Sequence, residues 1–270
     1  MQITRIVTRN PRHSQILIMA ISLSASTFSF AGINQHFSSA YDALSTGRGV
    51  ITLGGGAIFA KDVGKSKDFT IIDPVEDEFY NYTAASSSQT RAFFSSFIGG
   101  EWSLNPAYAM QFGLGFNQAE SMSVKGSLLQ GPDLQSADTW TYNYSVLTRQ
   151  LLVESKFIYQ QSKYIHPYGE VGIGASFNKA ENYETNVPFD ITFTRQYPSN
   201  TQTAFTYLIG AGVEMDIAPH VRLGVGYRFI DAGKFQLGTP ALIDVTSVSG
   251  TLSTKHLYAN ELLAQLSWLF

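Results

Sequence analysis

The chain contains no cysteine. Disulfide frameworks, thiolate zinc sites, cysteine nucleophiles and a cysteine lipid anchor are all excluded. Charge is scarce as well. Asp, Glu, Lys and Arg make up 14% of the 270 residues, against roughly 25% in an ordinary soluble domain. Net charge is −3 and no basic run exceeds two residues. The electrostatic footprint of a nucleic-acid binder is missing, so no nucleic acid is expected as a partner. Long apolar runs are also lacking, so no membrane-crossing helix, which needs about 20 residues, is expected in the mature chain. Aromatic residues and glycine are abundant: 19 Phe, 14 Tyr, 3 Trp and 23 Gly. Mean hydropathy is −0.02. A transmembrane β-barrel gives such an average, because lipid-facing and lumen-facing residues alternate and cancel.

The N-terminus has the layout of a secretory signal peptide. Arg5, Arg9 and Arg12 precede an apolar stretch from Ile16 to about Phe28, and Ser29-Phe30-Ala31 offers small residues at a cleavage site. Residues 1–31 are read as that signal. Residues 32–48 are read as a periplasmic segment, with a short helix over Ser38–Leu44 as one option, and residues 49–270 as the barrel.

Beyond Val50 the pattern has period two, as in strands with unlike faces. Tyr108, Met110, Phe112, Leu114 and Phe116 alternate with Ala109, Gln111, Gly113 and Gly115. Val171, Ile173, Ala175 and Phe177 alternate with Glu170, Gly172, Gly174 and Ser176. The segments 203–217 and 220–231 repeat the pattern. A soluble sheet would have Lys, Glu and Thr on its polar face. Here that face is glycine-rich, as suits a crowded lumen, so the apolar face is assigned to lipid. Short breaks at Asn105-Pro106, Gln161-Ser162 and Ala218-Pro219 are about 57 residues apart. Long polar stretches at about 61–89, 117–143, 178–202 and 231–254 lie between them. The expected fold is all-β: an eight-stranded antiparallel up-and-down transmembrane barrel with short periplasmic turns and four long extracellular loops. The strands fall near 49–60, 90–103, 107–117, 144–160, 164–177, 203–217, 220–231 and 255–270. An open sheet would leave unpaired backbone in hydrocarbon, so closure is implied.

The C-terminal strand carries Leu262, Ala264, Leu266, Trp268 and Phe270 at alternate positions. Upstream lie His166-Pro167-Tyr168-Gly169-Glu170-Val171-Gly172 and the hairpin from Gly212 to Phe229. In these stretches the chain resembles the small bacterial outer-membrane β-barrel family, the group of the OmpA barrel, OmpX and the opacity-like proteins. The resemblance implies an outer-membrane location in a Gram-negative bacterium. It implies that the five C-terminal residues form an assembly signal read by the barrel assembly machinery. It does not imply one function. A wall-binding domain after the barrel is not expected.

By alternation the lumen should hold Glu101, Gln111, Glu154, Lys156, Glu170, Glu214, Asp216, Arg222, Arg228, Glu261 and Gln265. Charges in so narrow a space must be paired. One reading is a polar plug, since an eight-stranded interior is just wide enough for side chains to fill. The other is a narrow solute path. Six of these residues are acidic and three basic, so any conductance should favour cations.

No enzymatic activity, cofactor or metal site is expected. Of the mature-chain histidines only His256 falls near the outer rim, with no Ser, Asp or Glu partner at a recognisable spacing. The run Asp73-Pro74-Val75-Glu76-Asp77-Glu78 lacks the spacing of a calcium loop and reads as solvated acid, or as a weak divalent site bridging lipopolysaccharide phosphates. Arg91 and Arg149 at outward strand ends are candidates for lipopolysaccharide phosphates. Tyr80, Tyr82, Trp140, Tyr142 and Tyr144 suit an outer aromatic girdle or a binding surface; Trp102, Tyr159 and Trp268 suit the periplasmic girdle. The expected role is non-enzymatic. Outer-membrane lipid and lipopolysaccharide surround the barrel, and the exposed loops engage an external or host surface ligand or serve the envelope structurally. A small porin-like channel is the alternative.

Overall fold

The computed structural model describes residues 47–61, 63, 69–73, 78–86, 88–162, 164–186, 196–239 and 251–270, all within one compact unit, Ser38–Phe270. The signal segment, residues 32–46 and the acidic residues 74–77 lie outside the described residues.

Thirteen strands are described: β1 (Arg48–Lys61), β2 (Phe69–Asp73), β3 (Glu78–Ala84), β4 (Ser88–Asn105), β5 (Tyr108–Ala119), β6 (Met122–Gly131), β7 (Asp138–Tyr159), β8 (Ile165–Asn186), β9 (Asn200–Ala218), β10 (Val221–Asp231), β11 (Phe235–Gln236), β12 (Ser253–Thr254) and β13 (Tyr258–Leu269). Eight of them pair antiparallel in a closed ring, β1–β4–β5–β7–β8–β9–β10–β13, as the period-two pattern predicts. The seam joins β1 to β13 from Val50 opposite Leu269 to Ala60 opposite Ala259. The backbones of Gly49 and Phe270 bond reciprocally at its base, at 2.7 and 2.9 Å. At one end the turns are short. Between β4 and β5 the Asn105 carboxamide oxygen accepts the Ala107 and Tyr108 amides at 2.8 and 3.0 Å.

The outward face of the ring is apolar. Leu114, Leu151, Val153, Ile173, Ile209, Val225 and Leu262 are all exposed there, because no described residue covers them.

The long-loop end departs from expectation. Among the described residues, parts of the polar stretches form strands there that extend the barrel wall. β6 continues the path of β5 along β7, pairing Met122 with Val146 through Gln130 with Asp138. β3 continues β4 in the same way and pairs with β6, and β2 pairs with β3. β7 and β8 are each 22 residues long and rise together beyond the ring.

Along β7 the two faces exchange character. In the ring, Glu154 and Lys156 face inward and Leu151, Val153 and Phe157 outward. Above it, Tyr142, Tyr144 and Val146 face inward while Thr141, Asn143 and Ser145 face outward. The alternation runs on unbroken, so the surroundings change rather than the strand. Water replaces lipid outside, and the enclosed face can then be apolar.

That inward apolar face is a core. Tyr80, Tyr82, Tyr142, Tyr144, Tyr183 and Tyr197 are buried together with Met122, Leu128, Phe235, Leu237 and Leu252. Tyrosines pack mostly edge-to-face: Tyr82 lies 5.7 Å from Tyr142 and 5.6 Å from Tyr197, and Tyr183 lies 4.9 Å from Tyr197. Phe235 reaches the cluster from the hairpin of β11 and β12, 6.5 Å from Tyr144. Burial pushes the Tyr144 and Tyr183 hydroxyls well above their ordinary range. This corrects the girdle expectation for Tyr80, Tyr82, Tyr142 and Tyr144, which point into a cap. Trp140 packs against the same core. An exposed aromatic row does occur, built from Phe205, Tyr207, Phe229, Tyr258 and His256 in sequential ring contact at 5.4–6.4 Å.

Candidate functional site

Inside the ring the side chains of β4, β5, β7–β10 and β13 converge. Glu101, Gln111, Glu154, Lys156, Glu170, Glu214, Arg222, Arg228, Glu261 and Gln265 are all buried there. Asp216 sits at the short-turn mouth with its side chain 41% exposed. Leu262, Ala264, Leu266, Trp268 and Phe270 point the other way, away from the lumen.

The lumen charges form two tiers. In the lower tier Arg222 donates to Glu101 at 2.5 Å and to Asp216 at 2.9 Å. Arg48 donates to the same Glu101 at 2.5 Å, and the Gln111 carboxamide adds 2.8 Å. Lys156 donates to Glu214 at 2.7 Å, a carboxylate that also accepts from Gln265 at 2.8 Å. His166 bonds Asp216 at 2.9 Å, and the Lys156 ammonium lies 4.4 Å from the centre of the Tyr168 ring. Three cations (Arg48, Lys156, Arg222) thus face three carboxylates (Glu101, Glu214, Asp216). Paired and hydrogen-bonded charges of this kind are the form in which a barrel interior tolerates ions.

The upper tier is unbalanced. Arg228 binds Glu170 at 2.6 and 3.3 Å. Glu154 and Glu261 are buried in the same tier, and each has a carboxylate oxygen that accepts no hydrogen bond from the protein. The acid surplus legible in the sequence therefore sits mid-lumen. The two cavities lined by Glu154 and by Glu261 each leave room for about one water between the side chains, and the aromatic core lies above them.

Sequence reasoning missed Arg48 and His166. Both share the parity of inward neighbours, Val50 in β1 and Tyr168 in β8, so continuing the alternation by one step would have found them. It also missed a partner for His256. The ring Nδ1 lies 2.8 Å from Asp231, whose other oxygen accepts the Gly233 amide at 2.8 Å. Gly233 has φ +70°, a conformation that glycine adopts without strain. Asp231 thus pins the turn leading into β11. The two residues are 25 positions apart, and no sequence spacing signals that contact.

At the rim, Arg149 faces outward and donates to Gln118 at 3.1 Å. Arg91 of β4 instead reaches the break between β5 and β6, donating to the Ser121 carbonyl at 3.0 Å. Its guanidinium is committed to the wall, which weakens the phosphate-binding expectation at that position.

Comparison with known proteins gives a consistent result. The family model described as the outer membrane protein beta-barrel domain matches residues 38–270. None of the curated proteins compared matches the chain. Similar solved structures include neisserial surface protein A, at 14% identity and a TM-score of 0.37 over 82% of this chain and 97% of that one. The Ail attachment invasion locus protein of Yersinia pestis matches at 9% identity and 0.34, over 82% and 99%. The outer membrane protease OmpT of Escherichia coli matches at 9% and 0.43, over 83% and 97%.

Proposed function

From the premise that this chain belongs to the outer membrane protein beta-barrel domain family and resides in the bacterial outer membrane, we propose that it is a non-enzymatic surface protein whose extracellular extension presents a rigid binding face. The observation that carries this reading is the aromatic cap. Residues from β3, β6, β7, β8 and the β11–β12 hairpin share one buried core above the membrane. A channel protein needs an open mouth. Here the space above the lumen is spent on packing, and the described wall beyond is held by strand pairing.

Among the described residues, the extension ends in the hairpin tip between β6 and β7. Asp133 accepts the Gln135 and Ser136 amides at 2.9 and 2.8 Å and the Ser136 hydroxyl at 2.8 Å. This fixed turn holds Leu134 74% exposed. A rigid apolar tip favours contact with another macromolecule because little conformational entropy is lost on binding. The contact assigned to it is an external or host surface ligand. The lumen charges act as a plug that fixes register. Arg149 faces lipopolysaccharide phosphate at the rim, and the C-terminal strand is the segment presented to the assembly machinery. Residues 1–31 are removed on export and residues 32–48 lie at the periplasmic side, with Arg48 opening β1.

Two measurements test this. Reconstitution in planar bilayers should show no stable conductance steps; regular steps would favour the porin-like reading and sink the plug. Cells displaying the chain should be retained on an array of matrix proteins and glycans, and shortening residues 132–137 should abolish retention. Equal retention by both would refute the assignment of the tip.

A further inference from the structure

Around the seam, the outer rim of the barrel carries a surface of mixed chemistry. β1, β13, β10 and β9 lie side by side there, a strip about 15 Å across at the usual strand spacing. Its rings follow one another. Tyr207 lies 6.4 Å from Phe229, Phe229 5.8 Å from Tyr258, and Tyr258 5.4 Å from the His256 imidazole, the last two planes parallel to within 1°. Phe59, Tyr227 and Leu262 continue the exposed apolar surface toward the membrane.

Among the described residues of these strands, one acid stands at this end. Asp231 has the outward parity of Val225 and Tyr227, and its register partners on either side are Tyr207 and Tyr258. A bare carboxylate there would repel an anionic headgroup. It is 4% exposed, because His256 covers it. The ring Nδ1 lies 2.8 Å from one carboxylate oxygen, and the Gly233 amide donates to the other.

The charges left in the open are positive. Lys61 ends β1 on the outward parity of Phe59, and the seam register brings it beside Tyr258, one step beyond the pair of Ala60 with Ala259. Lys255 directly precedes His256 and is exposed. Among the described residues neither ammonium has a partner. Aromatic rings suit the boundary between headgroups and acyl chains, and free ammoniums beside them attract anionic lipid. Two such cations over so wide an apolar strip match a lipid with two phosphates and several acyl chains.

We propose that this face holds one molecule of lipid A, the diphosphorylated glucosamine lipid of lipopolysaccharide. Its phosphates meet Lys61 and Lys255, and its acyl chains lie along Phe59, Tyr227 and Phe229. The site rests on the outer-membrane placement with the short turns periplasmic. It lies across the ring from Arg149 of β7 and is independent of any ligand at the hairpin tip.

Native mass spectrometry of the full chain, refolded in detergent and titrated with lipid, tests this. The probes are diphosphoryl lipid A, monophosphoryl lipid A and phosphatidylglycerol. R149Q/K179Q removes the cations on the far side, so that any contact there is read separately. That variant should still retain one diphosphoryl lipid A, hold the monophosphoryl form less tightly and hold phosphatidylglycerol least. Adding K61Q/K255Q should weaken retention about tenfold or more, and K61R/K255R in their place should keep it. The heat-modifiable band shows that each variant is folded. Retention unchanged by K61Q/K255Q would overturn the proposal. So would phosphatidylglycerol held as tightly as diphosphoryl lipid A, or retention lost in R149Q/K179Q alone.

Discussion

Replacing Arg222 by methionine keeps an unbranched apolar stem and deletes the charge at the centre of the lower tier. Three carboxylates feel the change unequally. Asp216 is half in water and keeps His166 at 2.9 Å. Glu214 keeps Lys156 at 2.7 Å and Gln265 at 2.8 Å, and stood 3.8 Å from the lost guanidinium. Glu101 loses its two bonds from Arg222, at 2.5 and 3.3 Å, and falls back on Gln111 and on Arg48, whose side chain is 43% exposed. Breaking a buried pair by removing one partner costs about 3–5 kcal/mol. The surviving Arg48 contact lowers the expectation to about 3 kcal/mol, because an exposed partner recovers only about 0–1 kcal/mol. Arg48→Met should therefore cost under about 1 kcal/mol. Adding Glu101→Gln to Arg222→Met should restore most of the loss, since the stranded charge is what is expensive. Urea titration of the refolded barrel in lipid vesicles, read by the heat-modifiable folded band, gives these numbers. An Arg222→Met loss below 1 kcal/mol, or a loss that Glu101→Gln leaves untouched, would refute the reasoning.

Tyr142→Ala removes a ring packed against Tyr82, Tyr144 and Tyr183. It should weaken the cap by about 3–5 kcal/mol, so limited proteolysis should cut β6 or upper β7 while the barrel band stays folded. In the cysteine-free background, Leu134→Cys should react with a membrane-impermeant maleimide on intact cells and Leu128→Cys should not; a labelled Leu128→Cys would contradict a packed cap. Gly56→Ala places a methyl group on the Leu262 carbonyl across the seam. It should slow or reduce barrel closure, seen as a weaker folded band after refolding. The Ser136 hydroxyl and amide hold the Asp133 carboxyl below its ordinary value of 3.8. Turn stability should therefore be full above that pH and be lost as pH falls through the lowered value. Amide-exchange protection at Gln135 and Ser136 that stays unchanged down to that range, then drops, is the expected result.

The ring was legible because membrane strands impose two solvents on alternate residues. Parity alone placed Gln111, Glu154, Glu214 and Arg228 inside and Leu114, Val171 and Ile173 outside. The extension was not legible because its outer face is wetted. Thr141 and Asn143 read as loop, although they alternate with Tyr142 and Tyr144 as regularly as any membrane strand. The tyrosines were recognised as concentrated, but a girdle and a core use the same residue type. Only the pairing of β6 with β7 decides between them. Pairwise contacts such as Asp231 with His256 depend on the course of the turn at Gly233 and leave no periodic trace.

The exchange of faces along β7 works as a depth gauge. The outward side changes from Leu151 to Arg149 in two residues, and the neighbouring β8 changes from Phe177 to Lys179 at a similar height. Sinking the barrel by one pleat would drive both cations toward hydrocarbon, at a cost that grows from about zero at the interface to about 2–4 kcal/mol each at the midplane. Lifting it would expose Leu151 and Phe177 to water. The wall is therefore held at one height in the leaflet, and the hairpin tip stands a fixed distance above the lipid. Whatever meets Leu134 meets it at that standoff, which is set by strand length and independent of how the cell packs its surface.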